Sequence, residues 1–589
     1  MRKLVWLIIS CLMVLSLMIV SCGEKETEEK SEIGDETGEK PEYGGMLTLA
    51  IGVEPTFDLL AFGAAYPQMH AHQKLYEGDW AKGLAGGYGE GLTTWGQSTN
   101  IPELNIGYLT SEHYWEVSDN GSEVTTYFTI RDNIYFAKPD TEAGDLVGGR
   151  KLTVDDLVWN VNQRVHNENA QNFQLYPFHR YPEAVKIDEK TFSITHKFAD
   201  HMSTLMRENC STYVFAPELW DAYGYESCTE WEYSVGTGPF MLNGYTPGNA
   251  VELIRNPDCW MTDPVGPGKG NRLPYIDNIK YIIMIDESTR HAALRTAQID
   301  QLGALTPEDK DLMIQTAPKL VSAERGSWSE TPLFMNTTKP PFNDIRVRKA
   351  MMMATDFNAI NDALYEGAGD IISWPYFDVE GYEPLFVTLE DSDLPAEVKA
   401  LYTYNVEGAK NLLADAGLPT GFKTTLVMQQ TDVDYYSIIA DQWSKVGIEI
   451  EMQPMEFGNL ISTAATASYD GLIAIATSPN SSYPEQSHYA AQNWVNASLI
   501  NDPYVNEQAD KVRALAITDF QASMELCRPL IMYLLGQAYM VPSPRHTTYS
   551  MWWPWLKNYS GENAVGYFPG NSWAEWCWID ENLKNSMGH

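Results

Sequence analysis

The sequence predicts a mixed α/β protein of two or three domains. Two observations carry this. Runs with apolar residues at every second position are interleaved along the chain with stretches whose apolar residues recur every third or fourth position. A chain of 589 residues also exceeds what a single hydrophobic core organises.

Taken in order, "MLTLAI" opens the body as a strand with Leu47, Leu49 and Ile51 on one face. "EVTTYFTIR" alternates through Val124, Thr126, Phe128 and Ile130, and "TFSITHKF" through Phe192, Ile194, His196 and Phe198. "NIKYIIMID" does so through Ile279, Tyr281, Ile283 and Ile285. Between them, "LTVDDLVWNVNQRV" reads as a helix. Thr153 caps it, Asp156 stands three residues on, and Leu157, Val158, Val161 and Val165 form its apolar stripe. Further on, Asn405 caps a helix whose stripe is Val406, Ala409, Leu413 and Ala416, with Gly417 and Pro419 as its stop. Ile439, Trp443 and Val446 mark the next helix. It ends at Gly447 and leads into a strand through Ile448, Ile450 and Met452.

The N-terminal 42 residues differ from this body. Arg2 and Lys3 precede an apolar run from Leu4 to Val20, and Ile19-Val20-Ser21-Cys22 reads as a small-residue cleavage site. The ending resembles the lipobox of bacterial lipoproteins, which implies a signal peptide over 1–21 and a lipidated Cys22. An uncleaved anchor is the alternative, since the run is near the ~18-residue spanning threshold. Within 23–42, Ile33 is the one large aliphatic side chain among Glu, Lys, Asp, Ser and Gly. That composition predicts a solvated leash with a reach of about 25 Å.

With 40 basic against 79 acidic residues, the formal charge of −39 argues against nucleic acid and anionic lipid surfaces as partners. The 18 Trp, 33 Tyr and 19 Phe are the compositional excess. Beyond Cys11 and Cys22 the cysteines are Cys210, Cys228, Cys259, Cys527 and Cys577, with no Cys-x-x-Cys pair to favour a zinc ribbon or redox motif. A Cys210–Cys228 disulfide, worth about 3 kcal/mol, is one arrangement, and free thiols are the other. His70-Ala-His72 is the closest histidine pair, but its i, i+2 spacing faces different sides of a helix, so no metal is expected. No phosphate loop or Gly-x-Ser-x-Gly elbow occurs.

Several stretches, in order, resemble the family 5 solute-binding proteins of bacterial ABC importers, which include oligopeptide and dipeptide receptors. They are "YGGMLTLAI", "KLYEG" at 74–78, "KLTVDDLVWNVNQ" at 151–163, "VGTGPFMLNGY" at 235–245, "IRNPDCW" at 254–260, "NTTKPPFNDIRVRKAMMMATD" at 336–356 and "VPSPRHTTYSMWWPWLKNYSGE" at 541–562. Each is weak alone, and their collinearity carries the resemblance. It implies a periplasmic-binding-protein-like class II fold, with two hinged lobes and an extra small domain. One lobe would comprise 43–78, 206–303 and 541–589, with a small domain of 79–205 packed on it and a second lobe of 304–540. It further implies a monomeric, non-enzymatic receptor without cofactors, held outside the membrane in the periplasm or at the cell surface. The receptor would deliver a peptide or other small molecule to a permease and ATPase on separate chains.

In the peptide receptors of this family an Asp takes the ligand's ammonium group. The corresponding run here, "SYDGLIAIATSPNSSYPEQ", has Pro479 and Asn480 at that place, and Ala64 stands where a second family carboxylate is found. Glu77 and Asp79 are the nearest substitutes. An ammonium buried without a carboxylate costs several kcal/mol, on the order of 3–5, so a free peptide N-terminus is not expected as the recognised group. The candidate ligand contacts are aromatic and neutral: Tyr66, Trp374, Tyr376, Thr477, Ser478, Asn480 and Tyr483. Oligosaccharide binding and solute sensing are the alternatives within the fold. A secreted glycosidase would need two isolated carboxylates, and the adjacent pair Asp155-Asp156 falls at a helix cap.

Overall fold

The computed structural model describes residues 39–60, 66–98, 100–171, 173, 183–202, 205, 212–478, 483–486, 488–490, 495–566 and 571–589. Cys22, the leader and most of the leash lie outside them, as do Asn480 and Cys210.

The first lobe is built on a four-stranded sheet in the order Met46–Ile51, Asn278–Ile283, Ala250–Arg255, Phe240–Thr246. Met46–Ile51 runs parallel to Asn278–Ile283, with Leu47 opposite Ile279 and Leu49 opposite Tyr281, and the other pairs are antiparallel. The alternation read from sequence is therefore the pleat of this sheet, with Leu47 and Ile279 both fully buried. The run stops at Ile283, however, and Ile285 is 71 % exposed. Asp286 caps the helix Glu287–Arg295 immediately after it, accepting from the Thr289 N–H at 2.7 Å, and this ends the strand.

A second four-stranded sheet, Thr110–Val117, Glu123–Ile130, Thr191–Lys197 and Ala184–Lys186, packs against the helix Val154–His166. Its core takes in Leu75, Tyr76 and Val235 and is thereby continuous with the first lobe's segments. The expected cap is present. Asp156 accepts from Thr153 N at 2.8 Å, and Leu157, Val161 and Val165 are fully buried while Val158 is half-buried. Arg150 also grips Asp156 through two hydrogen bonds of 2.7 and 2.8 Å, and Lys186 pairs with Asp155 at 2.9 Å.

The second lobe has a five-stranded sheet, Ile448–Met455, Phe422–Gln429, Leu472–Ala474, Leu333–Met335 and Met540–Val541. Phe422–Gln429 is parallel to both of its neighbours, whereas Leu333–Met335 is antiparallel to the strands beside it. In the "NTTKPPF" segment Asp344 caps Ile345–Met353 and buries Val347, Ala350, Met351 and Ala354. Arg348 donates to the carbonyls of Phe342 and Gln537 at 2.9 and 3.1 Å, and Arg346 to that of Asp415 at 2.6 Å, so both arginines serve the fold.

A three-stranded antiparallel sheet places Thr547–Trp552 between Gln301–Leu305 and Val321–Gly326, the latter paired with it over six residues. Cys228, Cys259, Cys527 and Cys577 are buried free thiols, and Cys228 donates to the Tyr225 carbonyl rather than joining a disulfide. Among the described residues no helix is long and apolar enough to cross a membrane.

Candidate functional site

The face of the second lobe that meets the first is held by two short backbone bridges. Glu330 and Thr477 exchange N–H···O bonds of 3.1 and 2.8 Å just beyond the strands Leu333–Met335 and Leu472–Ala474. Asp370 and Arg545 exchange bonds of 2.8 Å in each direction. These bridges fix Trp374 and Tyr376 on the segment after Asp370, where the Ser373 hydroxyl donates to the Ser543 carbonyl at 2.6 Å.

Around Trp374 lies an aromatic cluster. Its ring meets Tyr489 edge-on at 6.1 Å, and Tyr376 is edge-on to Tyr483 at 5.7 Å. The Tyr376 and Tyr489 hydroxyls are 2.7 Å apart, and Tyr483 shares its hydroxyl with Ser523 at 2.7 Å. Burial drives these phenols far above their usual range, so they serve as neutral donors and acceptors. Three polar groups here carry no hydrogen-bond partner among the described residues: the Trp374 indole N–H, both ends of the Gln486 side-chain amide, and the Ser543 hydroxyl. They are 3 %, 0 % and 5 % exposed. Leaving such a group unpaired costs about 1–3 kcal/mol. Gln486 also holds a φ of +59°, a left-handed conformation stored at this point.

The two lobes touch directly. Asn100 donates to the Tyr483 carbonyl at 2.7 Å. The Glu380 carboxylate accepts from Thr93 N at 2.8 Å and Thr94 N at 2.7 Å and from both threonine hydroxyls. Beside this contact a groove of about 360 Å³ opens between Thr93–Thr94, the 370–383 segment and Arg545–Thr547. Its wall is acidic, with Asp370, Asp378, Glu380 and Glu383 facing one guanidinium, Arg545. Burial pushes Asp370 and Asp378 up, and burial lowers Arg545, against which Asp370 at 3.8 Å pulls back. Arg545 is itself engaged, donating to the Ser327 and Asp378 carbonyls at 3.0 and 2.8 Å. Burial likewise raises Glu330, with His546 opposing.

In the first lobe a buried polar knot sits behind the cleft. Lys74 pairs with Glu77 at 2.7 Å, and the Tyr108 hydroxyl donates to Glu575 at 3.1 Å. Burial raises both carboxylates, Glu575 strongly and with the charge of Glu77 adding to it. His70 shares a 2.7 Å bond with the Tyr281 hydroxyl, whereas His72 bonds the Val214 carbonyl and the Ser234 hydroxyl at 2.9 and 2.7 Å. Burial takes the two rings down to about 3 and about 4. Glu77 is thus committed to Lys74, and Asp79 to capping the turn Trp80–Lys82.

Of the residues named from sequence, Trp374, Tyr376 and Tyr483 fall in one aromatic cluster, Thr477 is bridged to Glu330, and Ser478 beside it in the chain is half-buried. The Tyr376 and Tyr483 hydroxyls are taken up by internal bonds, and the Thr477 backbone by Glu330. Tyr66 begins the helix Tyr66–Met69, and Asn480 lies outside the described residues. Sequence reasoning missed Gln486, Ser543, Asn100 and the Glu380 clamp. Asn100 and Tyr483 are 383 positions apart and Thr94 and Glu380 are 286, so no local pattern announces them.

Comparison with known proteins agrees with this architecture. Residues 108–498 match the model of the bacterial extracellular solute-binding proteins, family 5 middle region. A heme-binding protein A of Haemophilus influenzae is 28 % identical over 357 residues, covering 57 % of this chain and 59 % of that protein. A dipeptide-binding protein of Escherichia coli is 26 % identical over 385 residues, covering 59 % and 64 %. The chain thus spans less than two thirds of the length of these relatives. Among solved structures, a periplasmic binding protein of Helicobacter pylori, DppA, in complex with the peptide STSA superposes with a TM-score of 0.70 at 17 % identity, covering 92 % of this chain and 99 % of that one. The match across the middle of the sequence and the two-lobed fold place the chain among the bacterial extracellular solute-binding proteins of family 5.

Proposed function

We propose that the protein is a solute receptor of an ABC importer. It takes up a small molecule between its lobes outside the cytoplasmic membrane and releases it unaltered to a permease served by an ATPase on separate chains. The observation that carries this is the set of unpaired, buried polar groups at Trp374, Gln486 and Ser543, on segments next to Tyr483, whose carbonyl accepts from Asn100 of the other lobe. An indole N–H, a primary amide and a hydroxyl, set among aromatic rings, suit an uncharged ligand rich in carbonyl, amide or hydroxyl groups. A peptide held by its main chain and an oligosaccharide both meet that description. Recognition of a free ammonium by Glu77 or Asp79 is not part of it, because both are already engaged.

In this reading the lobes are 43–78 with 206–303 and 541–589, and 304–540, with 79–205 as the small domain, and Ser543 and Arg545 of the first lobe reach onto the second through Ser373 and Asp370. The protein works as a monomer without cofactor or catalytic residues. A lipid on Cys22 and the polar leash of 23–42 hold it near its permease, raising the local concentration of the docking partner. Tyr66, Ser478 and Asn480 extend the ligand contacts.

A thermal-shift screen of peptides, N-acetylated peptides, oligosaccharides and heme tests the reading. A ligand that binds only the folded state adds about 2.7 kcal/mol at a hundredfold excess over Kd. Neutral or acetylated ligands are expected to shift the melting point, and Trp374→Phe and Gln486→Leu to abolish the shift. A large shift by free dipeptides that acetylation of the amine removes, or full binding by both variants, overturns it.

A further inference from the structure

Two imidazoles at the end of the small sheet are buried without a hydrogen-bond partner among the described residues. Val124 lies opposite His196 on one side and Val117 on the other, and Trp115 lies opposite Thr126, so Trp115, Val124 and His196 share a face. His201 follows the turn Phe198–Asp200. Its ring lies 5.1 Å from Trp115 and 5.7 Å from His196. His196 is 4 % exposed and His201 0 %, and neither nitrogen of either ring has a hydrogen-bond partner among the described residues. A neutral imidazole carries one donor and one acceptor, so four polar atoms are left unpaired here.

This face is covered by the other lobe. An apolar cluster joins Val124 and Met202 to Ala516 and Ile517, with Trp115, Phe198 and Phe520 against it. Ala516 ends the helix Pro503–Ala516, and Phe520 begins Phe520–Gln537, whose buried side chains belong to the second lobe's core. The strand Glu123–Ile130, in contrast, shares its core with Leu75, Tyr76 and Val235. The contact is small and has to part whenever the lobes separate.

We propose that His196 and His201 form a proton-operated latch: neutral and dry beneath the 516–520 corner when the lobes are closed, they take up protons in acid and water enters, parting the small sheet from the second lobe. The surrounding charges offer an imidazolium no shelter. His113, on the neighbouring strand, has its own Nδ1 unpartnered. Lys197 and Asp200 flank the pair on their own segment. From the facing helices come Arg513, which pairs with Asp510 and donates to the Glu485 carbonyl at 3.3 Å, and Asp519, which caps the Ala522 N–H at 3.0 Å. The charges acting on the two rings are His201 on His196 and His113 on His201, and both repel.

Burial, aided by that repulsion, lowers both rings from 6.5 to about 3. A base lowered in the closed state favours closure fully above pH 6.5, and that contribution is lost as the pH falls below it. Each pH unit below 6.5 then favours opening about tenfold per exposed ring, and two rings give about a hundredfold at pH 5.5. Asp200 acts in the opposite sense. Burial raises its carboxyl, so its protonation favours closure, and the useful window therefore lies above the ordinary carboxylate value of 3.8.

The test is small-angle scattering of the full chain from pH 7.5 to 5.0, with amide exchange of segments 191–202 and 510–525 corrected for the intrinsic rate. The wild type is expected to expand below pH 6.5 with uptake of more than one proton, and both segments to exchange faster together while 157–165 does not. His196→Gln with His201→Gln should stay closed throughout, and His291→Gln, in the first lobe, should behave as the wild type. If the double variant fails to fold, the paired rise in exchange in the wild type decides. A wild type already open at pH 7.5, one unchanged at pH 5.0, or a double variant that opens like it overturns the latch.

Discussion

Removing the Glu380 carboxylate is the sharpest probe of the contact between the lobes. It accepts four hydrogen bonds from two consecutive residues of the other lobe: Thr93 N at 2.8 Å, Thr93 Oγ1 at 3.2 Å, Thr94 N at 2.7 Å and Thr94 Oγ1. Charge-assisted bonds contribute about 1.5–3 kcal/mol each when buried. Glu380 is only half-buried, so water replaces part of what is lost, and a total of about 2–3 kcal/mol is the expectation for Glu380→Ala. That corresponds to a factor of about 30–150. The assay is amide exchange at Thr93 and Thr94, whose N–H groups lose their acceptor and should exchange faster by that factor. Glu380→Gln, which keeps one acceptor oxygen, should fall between. Unchanged exchange at both amides in Glu380→Ala would refute the claim that this carboxylate clamps the lobes.

Three further outcomes are expected. Leu413→Ala empties a 1 % exposed position under the helix Val406–Asp415 and should lower stability by about 2–5 kcal/mol in urea unfolding. Glu575→Gln mimics the protonated form of a carboxyl whose folded pKa burial raises well above 4.5. The folded wild type holds the extra proton above pH 4.5, so its stability falls as pH rises through that interval, and the variant should gain in relative melting temperature from pH 5 to pH 8. Burial holds Cys228, Cys259 and Cys527 up at about 12, so these thiols should resist Ellman's reagent in the native protein and react on unfolding, with a titre unchanged by prior reduction.

What the sequence discloses here is whatever is settled within one turn or one pleat. Thr153 and Asn405 cap the helices expected of them because a cap needs only its own next three residues. Leu47 and Leu49 face inward because alternation is a property of one strand. The strand through Ile283 is overextended to Ile285 in the sequence reading because the cap at Asp286 competes with the apolar period and wins. Trp374 is legible as an aromatic candidate, but its unpaired indole is not. Pairing depends on what lies across the fold, as with Ser373 and Ser543, which are 170 positions apart. Gln486 carries no sequence signal, since a glutamine is ordinary on a surface and unusual only once it is found fully buried.

Val321–Gly326 and Thr547–Trp552 are zipped to each other, with Gln301–Leu305 laid along the other side of Thr547–Trp552 as a third strand. A three-stranded ladder of this kind resists shear and splaying, and Ser327 and His546 continue it by one further N–H···O bond of 2.9 Å. Arg545, anchored just past that end on the Ser327 and Asp378 carbonyls, ties the ladder to the wall of the groove between the lobes and leaves its position fixed before any solute arrives.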